Sequence, residues 1–191
     1  MVDYVPEQAV ALFDPVTDLP YKAVTNAELI AALAGSPLSK GKRALVDVTL
    51  TVPTSGIANG DLLADTQVVT DLFRAIDVGG VLQSVTLIDP NNFTGAIDLV
   101  FLSDDVSLGT ESAVASMSAA NAINVIVANV HIVAGDYTSL GNAKVATIGN
   151  INKILKPKAG TRNGYIGAIM VTNAGQYASG TIICRLGIDQ D

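Results

Sequence analysis

From Gly41 onward the apolar residues recur with a period of two, and that period dictates a body built of strands. Val46, Val48, Leu50 and Val52 alternate with Asp47, Thr49 and Thr51, which gives an extended segment one aliphatic face and one polar face. Weaker versions of the pattern mark Val68 to Ile76, Val81 to Ile88, Ile97 to Leu102, Val125 to Val133, Lys144 to Ile148, Tyr165 to Thr172 and Thr181 to Ile188. Their separators carry turn chemistry: Pro53 to Gly60, Asp89-Pro90-Asn91-Asn92, Gly135-Asp136, Gly141-Asn142, Gly160 to Gly164 and Asn173-Ala174-Gly175. Only Thr110 to Ala122, rich in Ser and Ala, lacks strand residues, and Ser118 to Ala122 suits one helical turn.

Parallel strands need long crossovers, so about eight short strands with few helices between them imply antiparallel pairing. Two sheets packed face to face bury both sets of apolar faces economically. The fold expected is therefore mainly β: an antiparallel β-sandwich, jelly-roll-like, over residues 41–191. Within it, Tyr165 to Thr172 and Thr181 to Ile188 are expected to form a hairpin, with Ile182, Cys184, Leu186 and Ile188 on one face.

Residues 1–40 differ in character. Pro6, Pro15 and Pro20 punctuate the segment around Ala9 to Lys22, and Pro cannot donate to a ladder, so an extended arm or a sheet edge is expected there. One short helix follows. Thr25 and Glu28 form a capping box, Leu29, Ile30 and Leu33 an apolar stripe, and Gly35 and Pro37 a stop. A helix of this length is unstable alone and must dock on its own body or on a neighbour.

With 191 residues the chain has material for one substantial core. Its apolar share of 49% is aliphatic, since aromatics contribute 5% and Trp is absent. Charged residues reach 15%, well below the roughly 25% of an ordinary soluble domain, while mean hydropathy is +0.43. The thin charge layer implies surface reserved for other subunits. Eleven Lys and Arg against 18 Asp and Glu leave a net charge of −7, which opposes contact with phosphate backbones, so no nucleic-acid partner is expected. The basic clusters Lys40, Lys42, Arg43 and Lys153, Lys156, Lys158, Arg162 lie in Gly- or Pro-containing connections and are expected on solvated loops. No membrane partner is expected either. The most apolar run, Ile123 to Ala134, is interrupted by Asn124, Asn129 and His131 and falls short of the ~20 residues that a bilayer requires. Residues Met1 to Glu7 lack the cations and apolar stretch of a targeting signal.

The residue inventory is poor in chemistry. His131 is the sole histidine, which removes most proton-shuttle and zinc arrangements, and it shares parity with Val127, Asn129 and Val133 on an expected strand. Cys184 is the sole cysteine and sits in Ile182-Ile183-Cys184-Arg185-Leu186, where it suits an apolar filler of the core. Asp104-Asp105 and the pair Asp61 and Asp65 suit loop positions more than a carboxylate dyad. Gly160-Thr161-Arg162-Asn163-Gly164 leads into a strand and not a helix N-terminus, so it lacks the cradle of a phosphate loop. Asn92-Phe93-Thr94 matches a glycosylation triplet without a secretory context. Tyr137, Tyr165 and Tyr177 are the candidates for stacking on a sugar. No catalytic residue, cofactor or metal site is expected, and the chain is read as a non-enzyme.

The body resembles a group of small bacteriophage virion proteins. Val81-Leu82-Gln83-Ser84-Val85-Thr86-Leu87-Ile88-Asp89 followed by Ile97-Asp98-Leu99-Val100-Phe101-Leu102-Ser103 is similar to their central pair, a strand ending in Asp and then one reading Leu-x-Phe-Leu. The turn Ser118-Ala119-Ala120-Asn121-Ala122 entering the Val125 strand, and Gly160 to Tyr165 entering the penultimate strand, fit the same pattern. Phe13-Asp14-Pro15-Val16-Thr17-Asp18-Leu19-Pro20-Tyr21 resembles the opening of many phage structural proteins, with Asp18 where a turn Gly is more usual. The resemblance implies a capsid decoration or cement protein with a β-sandwich body. It further implies a homo-oligomer, a trimer in the first instance, bound to the major capsid protein on the capsid exterior after assembly in the host cytoplasm. Arms of this type add strands to neighbouring sheets or lie in grooves, which makes Asp3 to Ser39 the expected contact. A tail or head-to-tail connector component and a receptor- or glycan-binding virion module are the alternatives.

Overall fold

The computed structural model describes residues 42–54, 56–91, 95–172 and 180–190. The arm and capping-box helix expected in 1–40, the Asn92-Phe93-Thr94 triplet and Tyr177 lie outside the described residues.

The period-two segments become β1 (Lys42–Thr51), β2 (Leu62–Val69), β3 (Gly80–Asp89), β4 (Ala96–Leu102), β5 (Ile126–Ile132), β7 (Lys144–Ile148), β9 (Gly164–Thr172) and β10 (Thr181–Gln190). Two three-residue strands, β6 (Tyr137–Ser139) and β8 (Lys153–Leu155), one helix, α1 (Ala119–Val125), and a 3-10 turn at Ala134–Asp136 complete the described elements. Ser118 caps α1 by accepting from Asn121 N, so the expected helical turn runs on to the start of β5.

Every pairing is antiparallel, and the strands form two sheets. One has the order β1-β10-β3-β7-β6, with β8 beside the Gly80 to Leu82 end of β3. The other has the order β2-β9-β4-β5. The pairs β4 with β5, β3 with β7, β2 with β9 and β1 with β10 are nested one inside the next. Successive pairs alternate between the two sheets. A chain paired in this way is one long antiparallel ribbon wrapped around a common core, which is the jelly roll.

Register is held on the outward faces by polar pairs placed directly opposite each other. Arg185 donates from Nε and Nη2 to the two carboxylate oxygens of Asp47 at 2.8 and 2.9 Å, and Arg43 Nε lies 3.1 Å from Asp189 on the same strand pair. Thr86 and Thr147 share a hydroxyl contact of 3.2 Å between β3 and β7. A slip of one residue would turn each of these inward. Inward from them, Leu50, Leu82, Leu87, Ile182, Cys184 and Leu186 of the first sheet meet Ile97, Leu99, Phe101, Ile166, Ala168 and Met170 of the second in one core.

Three sequence expectations are corrected. β9 and β10 are not a hairpin: β9 lies between β2 and β4, and β10 lies between β1 and β3 in the other sheet. Each is claimed by a strand from early in the body, so the chain changes sheets between them. β3 and β4, the pair expected from the resemblance, are likewise in different sheets. The strand expected at Val68 to Ile76 is shifted to Leu62–Val69, and residues 70–79 are turns in which Asp71 and Asp77 adopt left-handed φ of 52° and 60°. Leu72 and Phe73, whose apolarity suggested a strand, are buried in the core from this loop. Gln190 Nε2 donates to Leu72 O at 2.8 Å and Phe73 N to Arg162 O at 3.0 Å, which hold the loop in place.

Phe101 is among the largest fully buried side chains and belongs to the core shared by both sheets. Phe101→Ala is expected to lower unfolding free energy by about 3–5 kcal/mol. Chemical denaturation should show the midpoint falling with the slope unchanged; a change below about 1 kcal/mol would contradict the shared core.

Candidate functional site

The residues with chemical potential are dispersed and mostly committed to holding the backbone. Asp61 Oδ2 accepts from Ala58 N at 2.8 Å. Asp65 accepts from Leu108 N, Ser107 Oγ and Thr66 N, each at 2.7 Å. The two carboxylates therefore do not act as a pair. Asp104 lies 2.7 Å from Lys158 Nζ and also accepts from Asp105 N; the lysine contact, then this amide, holds its carboxyl below the usual range. Lys158, Arg162 and Lys153 were all expected on solvated loops. Lys158 pairs with Asp104, Arg162 lies 2.6 Å from Asp71, and Lys153 begins β8. The Gly160 to Gly164 segment enters β9 directly, as expected of it, and Gly160 N donates to Asp77 at 2.6 Å.

His131 stands on β5 directly opposite Asp98 of β4, with Nδ1 2.6 Å from the carboxylate. By register its neighbours on that outward face are Asn129, Val100 and Ile169, none of which is a nucleophile. This is a cross-strand pair, as the parity of β5 implied. Cys184 is fully buried, and burial pushes its thiol up to about 12, so it is an inert core residue. Among the described residues, no three His, Cys, Asp or Glu side chains come together. Neither described tyrosine, Tyr137 or Tyr165, is a surface platform. The Tyr137 hydroxyl is enclosed, and its ionisation is driven far upward first by burial and then by Asp89. Tyr165 is buried in a second apolar cluster.

That cluster comes from a feature that strand patterning did not show. After β4, residues 103–118 cross the outer face of the β2-β9-β4-β5 sheet as a strap. Leu62 N donates to Ala113 O and Ser112 N to Leu62 O at one side of the sheet, and Ser103 N donates to Val125 O where the chain returns to β5. Thr66 Oγ1 donates to Val106 O at 2.6 Å. Leu108, buried together with Leu62, Val100, Leu102, Val125 and Tyr165, sits over Gly167. A Cβ at Gly167 would meet Leu108 Cδ1 and force that side chain to shift, so glycine suits this close approach.

Two surfaces remain open to a ligand or partner. The first is a cleft of about 630 Å³ on the outward face of β1, β10 and β3, bounded by Arg43, Leu45, Gln83, Asn150 and Asp189. Gly187 also lines it, where the register between β10 and β3 shifts and a Cβ would force the Ser84 hydroxyl to move. No aromatic side chain lines it.

The second is the side of the sandwich formed by β5, α1 and β6. β5 pairs with β4 alone among the described strands, and β6 with β7 alone. The 25 residues from Ala119 to Ala143 contain one formal charge, Asp136. Its carboxylate accepts from Val133 N at 2.9 Å and so closes its own turn. Four of the ten exposed large apolar side chains among the described residues fall in this span: Ile123, Ile126, Val133 and Leu140. The sequence carried this signal as the apolar run Ile123 to Ala134, which holds no Asp, Glu, Lys or Arg.

No family model and no curated protein matches the chain. Solved structures that resemble it include a chain of the Israeli acute paralysis virus particle heated to 63 degrees, at 10% identity and a TM-score of 0.30, covering 98% of this chain and 92% of that one. A chain of Desmodium yellow mottle tymovirus is similar at 12% identity and a TM-score of 0.29, covering 98% and 93%.

Replacing Asp65 by Ala removes the acceptor of the Leu108 amide and is expected to cost roughly 1–3 kcal/mol. Amide exchange should accelerate across residues 103–118 before it does in β9 or β10; uniform acceleration would show that the strap is not a separate unit. At mildly alkaline pH the native protein should leave Cys184 unmodified by a thiol reagent, with modification following unfolding. The sign follows from the raised value, since the buried thiol stays protonated at any pH well below 12.

Proposed function

We infer that this chain is a non-enzymatic structural protein of a bacteriophage virion, and within that class a decoration or cement protein bound as an oligomer to the outside of the capsid. The observation that carries this reading is the nested jelly roll together with its uncharged, strand-edged side. Jelly rolls serve as capsid subunits, lectins and cupins, so the fold alone does not choose among them. A cupin-type site needs clustered ligands, and the described carboxylates and His131 are dispersed into backbone clamps and cross-strand pairs. A lectin-type site commonly adds an aromatic platform, and the open cleft has none while Tyr165 is buried. A virion subunit needs surface that buries well against neighbours, and β5, α1 and β6 offer it. The net charge of −7 favours an outward position over contact with packaged DNA. Residues 3–39 are the segment proposed to reach the major capsid protein.

Gradient-purified particles of the encoding phage, probed with antibody to this chain, should carry label over the capsid surface. Label confined to the tail would move the assignment to a connector component, and unlabelled particles would overturn the virion reading. Deleting residues 1–39 should weaken capsid binding by about tenfold or more, since arm contacts supply much of the interface. Unchanged binding would remove the arm from the proposal.

A further inference from the structure

We propose that the β5 edge joins two copies of this chain about a two-fold axis through Asn129, making one continuous sheet from two four-stranded ones. The proposal deepens the assembly reading above by naming the surface and the symmetry of the contact.

Edge strands of proteins that remain single are ordinarily protected by charged side chains, Pro, bulges or a covering segment. β2, at the opposite edge of the same sheet, has such protection. Its register shifts twice against β9, it carries Asp65, and the strap bonds to Leu62. β5, reading Ile-Val-Ala-Asn-Val-His-Ile, has no formal charge and no Pro, and its register with β4 shifts only at the Leu102 end. Among the described residues the strap covers the sheet's outer face and adds no strand to this edge, which β8 approaches from the other sheet.

Charge identifies the occupant. Two copies that each carry −7 repel wherever their acids face one another, and like-charge juxtaposition at an interface is costly. The Ala119 to Ala143 stretch, with a single self-bonded carboxylate, is where identical anionic bodies meet without that penalty. A cationic partner would gain nothing there and would be drawn to the acidic remainder.

The apolar positions fit a two-fold. Identical edges pair antiparallel as an isologous contact. With Asn129 opposite its own counterpart, Val127 faces His131 and Ile126 faces Ile132. The Ile123 and Ile126 end of one copy, exposed by 82% and 39%, then lies against the Ile132 and Val133 end of the other, where Val133 is exposed by 41%. Each copy covers the other's exposed aliphatics while the two Asn129 side chains meet at the axis. An edge contact of this kind closes at two copies, so a larger ring needs a second, different contact.

Sedimentation of the full-length chain at micromolar concentration, free of any particle, should show a dimer. Asn129→Lys, which sets two ammonium groups on the axis, should weaken the dimer by about tenfold or more, whereas Thr70→Lys, in an exposed turn, should not. Thermal unfolding of Asn129→Lys should show that its body is intact. Asn129→Cys should form an intersubunit disulfide on mild oxidation, as Cα atoms of directly opposed strand residues lie within disulfide range, and Thr70→Cys should not. A monomeric wild type, or a dimer equally strong in Asn129→Lys, would overturn the proposal and leave the virion reading standing. A β5-linked dimer from a chain never found on particles would do the reverse.

Discussion

The contact on which the rest of this structure depends is the pairing of its first and last strands. β10 enters the sheet between β1 and β3, and the Asp47 to Arg185 ion pair that fixes its register joins residues 138 positions apart. Without β10, β1 has no neighbour in its sheet, and the inward faces of Leu50 and Leu82 lose Ile182, Cys184 and Leu186. The same geometry repeats one layer in, where β9 separates β2 from β4. A fold closed by such distant pairs has high contact order, and each turn of the ribbon becomes stable only when its mate arrives. Local propensity cannot hold it together, which is why its stability resides in one core contributed by both sheets.

This dependence explains what the sequence disclosed and what it concealed. Alternation is a local signal, so β3, β4, β5, β7, β9 and β10 were legible within a residue or two, while β1 begins four residues ahead of Val46. Partner choice is not local. Nothing within Tyr165 to Ile188 distinguishes a hairpin from two strands claimed by separate sheets, and the nearer partner was chosen. Leu72 and Phe73 misled for a related reason: burial makes a residue apolar whether it lies on a strand or plugs the core from a loop, and only the left-handed Asp71 and Asp77 distinguish the two here. β6 and β8 are too short for any period to register. Of the candidate residues, Cys184 and His131 stand where parity placed them, whereas the burial of Tyr137 and Tyr165 required the three-dimensional wrap.

The strap shows how the chain manages its own apolar surface. The β2-β9-β4-β5 sheet is aliphatic on both faces, since Val100, Leu102, Tyr165 and Ile169 point away from the main core. A single-layer exposure of that kind invites association. Residues 103–118 close it intramolecularly, with Leu108 seated on Gly167 and Asp65 bonding the strap's backbone. Asp65 is thus an acid whose role is structural, and its spacing from Asp61 reflects a bulged strand with two turns to secure.

The treatment of the two sheet edges differs from that of the face, and the difference bears on the low charge content. Were the 15% charged residues spread evenly, every surface would repel a second anionic copy weakly, and no single contact would be preferred. Their near absence from Ala119 to Ala143 instead concentrates repulsion on the remaining surface and leaves that stretch almost uncharged. Repulsion elsewhere then acts as specificity, because it disfavours every approach except the one that brings the neutral sides together. An open strand edge would otherwise template indefinite growth. Two-fold pairing uses both copies of that edge at once and so ends the growth it begins.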